Sequence, residues 1–452
     1  MALTIRGDSD DGDWPGPVWR PAPAKRGAFL QARLVEVGCR GVRVRRLGGN
    51  RAGEIRLTRL LRNAAVTPEE MAQTAGQATA GRCEGRHVLA IQDTTVVRSE
   101  GGGGLYLHAV VAVDADDDAI LGLIHGQFLS RSDGRKAERN RLPIEQKESY
   151  RWLQGADLAG RVCAAARRVT VVADREADIF EAFARRPASV DLLVRAAQDR
   201  SLEDGGRLFA HSDARAAMAR ATLDLPAKPG RRARQAVLAV RFMAVELAKP
   251  KNGKLPQAPD SIGLNLVDLR EIDPPEGADA VHWRLLTTHP VGDAAEALAV
   301  ADLYRRRWAI EQLFRTMKTQ GFDIEGLRIE DEQPRCNLVM AALTAAVIVQ
   351  QLVHARDGKP GLQGMLRPIT DAFEPEDAPL LAAYCAKLEG KTARQKNPHP
   401  AGSLAYAAWV CARLGGWTGY YGKPGPVVML NGWQQFQAGK AAIHVMQAIR
   451  NM

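Results

Sequence analysis

The order of short apolar runs between residues 87 and 196 constrains this chain most. HVLAIQDTTVV (87–97), GLYLHAVVAVD (104–114) and AILGLIHGQFL (119–129) are β-branched and apolar, and turn-forming residues separate them. That is the pattern of a strand meander. The last two are joined by the acidic turn Ala115-Asp116-Asp117-Asp118. A helical pattern follows over about residues 145–166, then RVTVVAD (168–174), a second helix over Glu176–Arg185, and VDLLVRA (190–196). RVTVVAD is short and apolar, as strands buried on both faces are. The predicted order is βββαβαβ, three antiparallel strands and then parallel strands with helices in a mixed sheet. No glycine-rich phosphate loop follows any strand, and Gly101–Gly104 reads as a turn.

Such an order is that of an RNase H-like α/β domain. Residues about 200–292 interrupt it with a strand-rich insertion: AKPGRRARQAVLAVRFMAVEL, SIGLNLVDLREI and VHWRLLTTH, separated by Pro, Gly and Lys loops. Helical periodicity resumes near residue 293, and the last 80 or so residues are helical. The longest uncharged apolar run, Leu338–Val353, contains Thr344, Gln350 and Gln351. It is short for a membrane span and is predicted to be a buried helix. The first 25 residues, rich in Pro, Gly and Asp, are predicted to be disordered. No signal peptide is visible. The six cysteines are scattered without CxxC spacing, unlike a zinc site or a secreted disulfide scaffold. A cytoplasmic location without a membrane is expected.

Charge narrows the partner. The 452 residues carry a net charge of +10, and cationic patches gather polyanions. The segment GCRGVRVRRLGGNRAGEIRLTRLLRN sets Arg40, Arg43, Arg45, Arg46, Arg51, Arg56, Arg59 and Arg62 against one acid, Glu54. It is read as a DNA contact, with a solvated helical face as the alternative. Basic loops at 228–234 and 249–254 add to the surplus. Thr67-Pro68-Glu69-Glu70 reads as a helix start: Thr at N-cap, Pro at N1, acids in the first turn.

Two acids, Asp93 and Asp174, stand where buried strands end. An ionised carboxylate beside Val, Ala and Ile is costly unless paired or cation-bound. A third, Glu311, lies in LYRRRWAIEQLFRTMKTQG. Read as one helix, that segment places Tyr304, Arg307, Glu311 and Lys318 on a face about 60° wide. Ile310, Leu313, Phe314 and Met317 then form the core face. The plainer reading is an amphipathic helix with an Arg307–Glu311 pair. Phosphodiester hydrolysis gives a reason to join the three acids, because two divalent ions on carboxylates supply the attacking water and stabilise the leaving oxygen. Among competing acids, Asp114 and Asp116–Asp118 fit a tight turn, and Glu176 and Asp178 are expected to stabilise a helix N-terminus. The nine histidines show no HExxH spacing.

Three motifs, DTT at Asp93, DREADIF at Asp174 and YRRRWAIEQLFRTMK, together resemble the DDE transposases of the bacterial insertion-sequence-four family, of the Tn-five type. The last matches that family's Y-(2)-R-(3)-E-(6)-K signature at Tyr304, Arg307, Glu311 and Lys318 without a gap. The resemblance runs over roughly residues 30–435. It implies an RNase H-like core with a catalytic triad of Asp93, Asp174 and Glu311 binding two Mg²⁺, for which Mn²⁺ can substitute. It implies double-stranded DNA, transposon ends and target, as partner and cut-and-paste transposition through a DNA hairpin. It further implies phosphate contacts by Tyr304, Arg307 and Lys318, a flipped base stacked on Trp283, DNA contacts by Trp308 and Arg195, and a synaptic homodimer acting at the bacterial nucleoid. End recognition, with Arg45 and Arg46, falls to residues 26–82. The catalytic domain is expected over 83–370, and a helical dimerisation domain over 371–452. Two rivals are an RNase H-like nuclease without strand transfer and a non-catalytic DNA-binding transposition inhibitor.

Overall fold

The computed structural model describes residues 30, 44–98, 104–129, 142–225, 232–251, 258–327, 329–361 and 364–450. The expected disorder of residues 1–25, Arg40, Arg43, the Gly101–Gly103 turn, the side chain of Arg46 and much of both basic loops lie outside the described residues. Nine strands are described: β1 His87–Arg98, β2 Gly104–Asp114, β3 Ile120–Leu129, β4 Arg168–Ala173, β5 Val190–Arg195, β6 Ala219–Leu225, β7 Arg234–Ala248, β8 Ser261–Glu271 and β9 His282–Thr287. The described helices are α1 Val44–Gly48, α2 Arg51–Leu61, α3 Pro68–Ala80, α4 Tyr150–Val162, α5 Phe180–Ala184, α6 Leu208–Asp213, α7 Ala294–Arg305, α8 Trp308–Lys318, α9 Glu332–Ala355, α10 Ala378–Leu388, α11 Leu404–Leu414 and α12 Pro426–Arg450. The chain divides into two compact units. One takes residues 87–93 and 131–308, the other residues 1–86, 94–130 and 309–452.

In the first unit the strand order is β1-β4-β5-β9-β8-β7-β6. β1 pairs parallel with β4, and β4 with β5, as their unbroken apolar runs predict. Val88–Ile91, Val171–Ala173 and Leu192–Val194 are almost fully buried, and each large side chain so buried contributes about 1.5–3 kcal/mol. The strands of residues 200–292 do not form a separate sheet. β9 pairs antiparallel with β5, Leu193 opposite Thr287, and β8, β7 and β6 follow antiparallel. Helix α7 packs on β7 and β8, and α4 on β4 and β5. Asp293 caps α7 by accepting from the Glu296 amide at 2.9 Å, which is why helix resumes there. Strand β6, ARATLDL, has no fully buried residue. It therefore lacks the apolar run by which the other strands are recognised.

The other unit has the strand order β3-β2-β1, with β2 and β3 antiparallel. Helices α3 and α9 cover β3. Helix α3 starts as its sequence predicts, with the Thr67 hydroxyl accepting from the Glu70 amide and Pro68 in the first turn. Helix α9 alone among the described helices is long and apolar enough to span a membrane, and 83% of its most apolar window is buried in the protein. Leu338–Val353 thus lies within a core helix. Helix α2 buries Leu57, Leu60 and Leu61 and exposes Arg56 and Arg59. The acids of the β2–β3 turn serve arginines: Asp114 accepts from Arg86 at 2.6 Å and from Arg367 at 3.1 Å, and Asp117 from Arg367 at 3.2 Å. The helical tail appears as α10, α11 and α12, with Phe373 stacked on Trp433 at 5.0 Å.

Two expectations are corrected. The segment from Leu303 to Lys318 is not one helix: α7 ends at Arg305, α8 begins at Trp308, and the Arg307 amide bonds the Tyr304 carbonyl. A uniform 100° step through the turn at Arg306–Arg307 therefore does not describe the Tyr304–Lys318 face. No glycine or proline marks the break. The Arg307 side chain is instead committed to acids of the first unit, so tertiary pairing overrides local propensity. Glu176 and Asp178 do not cap α5. Its N-cap is Ile179, without a side-chain bond. Glu176 pairs with Arg151 at 2.7 Å, and Asp178 is buried among partners after β5.

Candidate active site

Register brings the two aspartates together, though β1 continues past Asp93 to Arg98, so only Asp174 stands at a strand end. β1 and β4 run parallel from His87 opposite Arg168 to Ile91 opposite Val172. Asp93, two residues past Ile91 in β1, and Asp174, two past Val172 and just after β4, keep the same offset. Side chains alternate along a strand, so both carboxylates emerge on one face at the C-terminal end of β4, the usual place for ligands in an open α/β sheet.

One guanidinium joins them. Arg307 Nη1 lies 2.9 Å from Asp93 Oδ2, and Nη2 lies 3.9 Å from Asp174 Oδ2. The Arg307 side chain is 13% exposed, Asp93 24% and Asp174 35%. The pair is thus shielded but reachable. The Tyr304 hydroxyl donates to Asp174 Oδ1 at 3.1 Å. Burial first, and then the Asp174 charge, push the Tyr304 phenol well above its ordinary pKa, against opposing effects of Arg307 and Arg195. The ring of Trp283 on β9 meets Tyr304 edge to face, 5.6 Å between centroids. Arg195, at the end of β5, donates to the His282 carbonyl at 2.9 Å and so ties β5 to β9.

Asp93, Asp174, Tyr304, Arg307, Trp283 and Arg195 therefore gather within one unit, where Trp308 is 51% exposed. Glu311 and Lys318 belong to the other unit. Glu311 is half-buried in the first turn of α8. The Lys318 ammonium donates to the Val96 carbonyl and stands 3.6 Å from Glu325. Arg45 is exposed. Among the described residues no group of three His, Cys, Asp or Glu side chains is assembled to hold a metal. The donor chemistry of Asp93 and Asp174 nevertheless fits a hard divalent cation: two aspartate carboxylates that already draw one cationic group between them.

Sequence reasoning missed the supports of this site. Asp178, 2% exposed, accepts from the Ala197 amide at 2.8 Å, the Gln198 amide at 3.0 Å and Arg200 Nε at 2.8 Å. It pins the segment that leaves β5. Buried Arg151 reaches back from α4 to Glu176. Both acids lie inside DREADIF, but partners 19–25 residues away leave no local signal.

Residues 132–348 match the family described as transposase DDE domain. Over those residues the chain is similar to a transposase DDE domain. The match takes in Asp174 and Glu311 and begins after Asp93. A mixed sheet with flanking helices agrees with it.

Proposed function

We propose that this protein is a DDE transposase that performs cut-and-paste transposition in the manner of the insertion-sequence-four family. The observation that carries the reading is the meeting of Asp93 and Asp174 on the Arg307 guanidinium, with the Tyr304 hydroxyl on Asp174. Glu311 completes the acidic triad by its place in the Y-R-E-K signature. Asp93, Asp174 and Glu311 would hold two Mg²⁺, or Mn²⁺. When bound, such a pair activates water and stabilises the leaving oxygen.

The chain's own residues do the rest. Arg307 and Lys318 take phosphates flanking the scissile bond, and Arg307 exchanges its carboxylate partners for them. Tyr304 keeps Asp174 oriented. Trp283 offers a stacking face to a base displaced from the duplex, which lets the strand turn tightly into a hairpin. Water attacks the end phosphodiester and frees a 3′-OH, which attacks the opposite strand. A second water opens the hairpin, and the 3′-OH joins target DNA. Arg195 and Trp308 add DNA contacts, and residues 26–82, with Arg45 and Arg46, recognise the ends. A homodimer formed through residues 371–452 brings two ends together at the cytoplasmic nucleoid.

The test is to incubate the purified protein with Mg²⁺ and labelled duplexes taken from the DNA bordering its gene. Hairpin-ended products, followed by joined target, are expected. Nicks without hairpins would instead indicate the nuclease, and binding without any cut the inhibitor.

A further inference from the structure

One buried carboxylate in the insertion has no part in the chemistry above, yet it grips the residues on both sides of Trp283. Asp268, on β8, is 1% exposed. Its Oδ1 lies 3.2 Å from His282 Nε2, and its Oδ2 accepts from Arg284 Nε at 3.3 Å. The Ser212 hydroxyl of α6 donates to the same Oδ2 at 2.5 Å. Burial raises the pKa of this carboxyl, but the bonds from His282 and Ser212 and the Arg284 charge outweigh it, and the group sits below the usual aspartate range.

Alternation along β9 turns that grip into a position for the tryptophan. Asp268 is directly opposite Arg284, and Leu269 opposite Trp283. His282 and Arg284 share the Asp268 face, so Trp283 faces the other way, where its ring meets Tyr304. Arg284 is held further: its Nη2 donates to Asp213 at 2.6 Å, and its guanidinium stacks on Phe209 at 4.2 Å. β8, β9 and α6 are laced by one carboxylate on one face, and the lacing fixes the aromatic pair on the other. A buried charge is tolerated only when its partners are in place, so the register of β9 and the placement of Trp283 are set together.

We infer that Asp268 is a positioning residue for Trp283: it clamps His282 and Arg284 so that the indole stands beside Tyr304, ready to take a displaced base. This rests on the base-stacking reading of Trp283 proposed above. The test uses full-length protein and end duplexes carrying 2-aminopurine at the base next to the cleavage position. First-strand nicking, hairpin formation and the fluorescence rise of base unstacking are followed in parallel. Asp268→Asn is expected to slow hairpin formation and the fluorescence rise about tenfold more than nicking, as loss of a base stack does. Combined with Trp283→Ala, it should add nothing further. Equal slowing of all three signals, or additive effects in the double variant, would overturn the inference. Trp283→Ala alone separates the two claims. If it slows nicking and hairpin formation equally, the stacking reading itself fails; if it is selective while Asp268→Asn is not, only the role of Asp268 fails. Should Asp268→Asn not fold, His282→Gln, at the half-buried partner, carries the same comparison.

Discussion

Among the single residues, Tyr304 reads most differently in three dimensions than in the chain. Its hydroxyl is spent on Asp174, and burial beside that carboxylate raises its pKa. The sign follows directly: the phenol stays protonated, and remains a donor, well past the pH at which a free tyrosine ionises. Tyr304→Phe should therefore slow first-strand cleavage roughly tenfold, as loss of a hydrogen bond to a charged group does. It should leave the alkaline limb of the pH–rate profile where it was, and a full pH–rate comparison checks both points. A limb that moved in the variant would mean that Tyr304 titrates during turnover. Asp174 was legible from its place just after β4, but the strand-end reading of Asp93 is corrected: β1 runs on to Arg98 and Asp93 lies in its middle. That the two share Arg307 was not legible, because Arg307 is 214 residues from Asp93 in the chain and only tertiary structure joins them.

Elements explain where sequence reading succeeds and where it stops. Long apolar strands and capped helices announce themselves: Thr67 and Asp293 each start a helix where the pattern changes. Strand β6 and the turn at Arg306–Arg307 do not, since one lacks buried residues and the other is set by partners far along the chain. The N-terminal ends of β1 and β4 carry a feature that local patterning also hides. His87 and His289 both bond the Thr170 hydroxyl, each at 2.9 Å. Burial, helped by neighbouring positive charge, lowers each imidazole to about 4. The unfolded chain takes up protons near pH 6.5, while the folded unit holds both rings neutral. Between about pH 6.5 and 4 the unfolded state thus binds more protons, so their contribution is fully present above that window and is lost as pH falls through it. Thermal unfolding should show the melting temperature dropping from pH 7 to pH 4, with a shallower slope in His289→Gln. A slope unchanged by the substitution would remove these histidines from the account.

For the whole molecule, the charge surplus and the topology point the same way. Arg56 and Arg59 are exposed on α2 above a buried leucine face, while Arg86 and Arg367 neutralise the acids of the β2–β3 turn. Net charge thus overstates the positive surface in some places and locates it in others, a distinction that composition cannot draw. The mixed sheet was legible from the order of strands. The continuation of that sheet through the insertion was not, because the pairing of β9 with β5 depends on a return over about ninety residues.

The central claim is that Asp93 and Asp174, with Glu311, perform strand cleavage and do not merely hold the fold. The most direct measurement compares binding and cutting of the same end duplex, with Mg²⁺, by wild type and by Asp93→Ala, Asp174→Ala and Glu311→Ala. The account predicts retained binding by all three variants and cleavage at least a thousandfold slower, on the order of what loss of an essential catalytic group costs. Cleavage at the wild-type rate by any of them would contradict it.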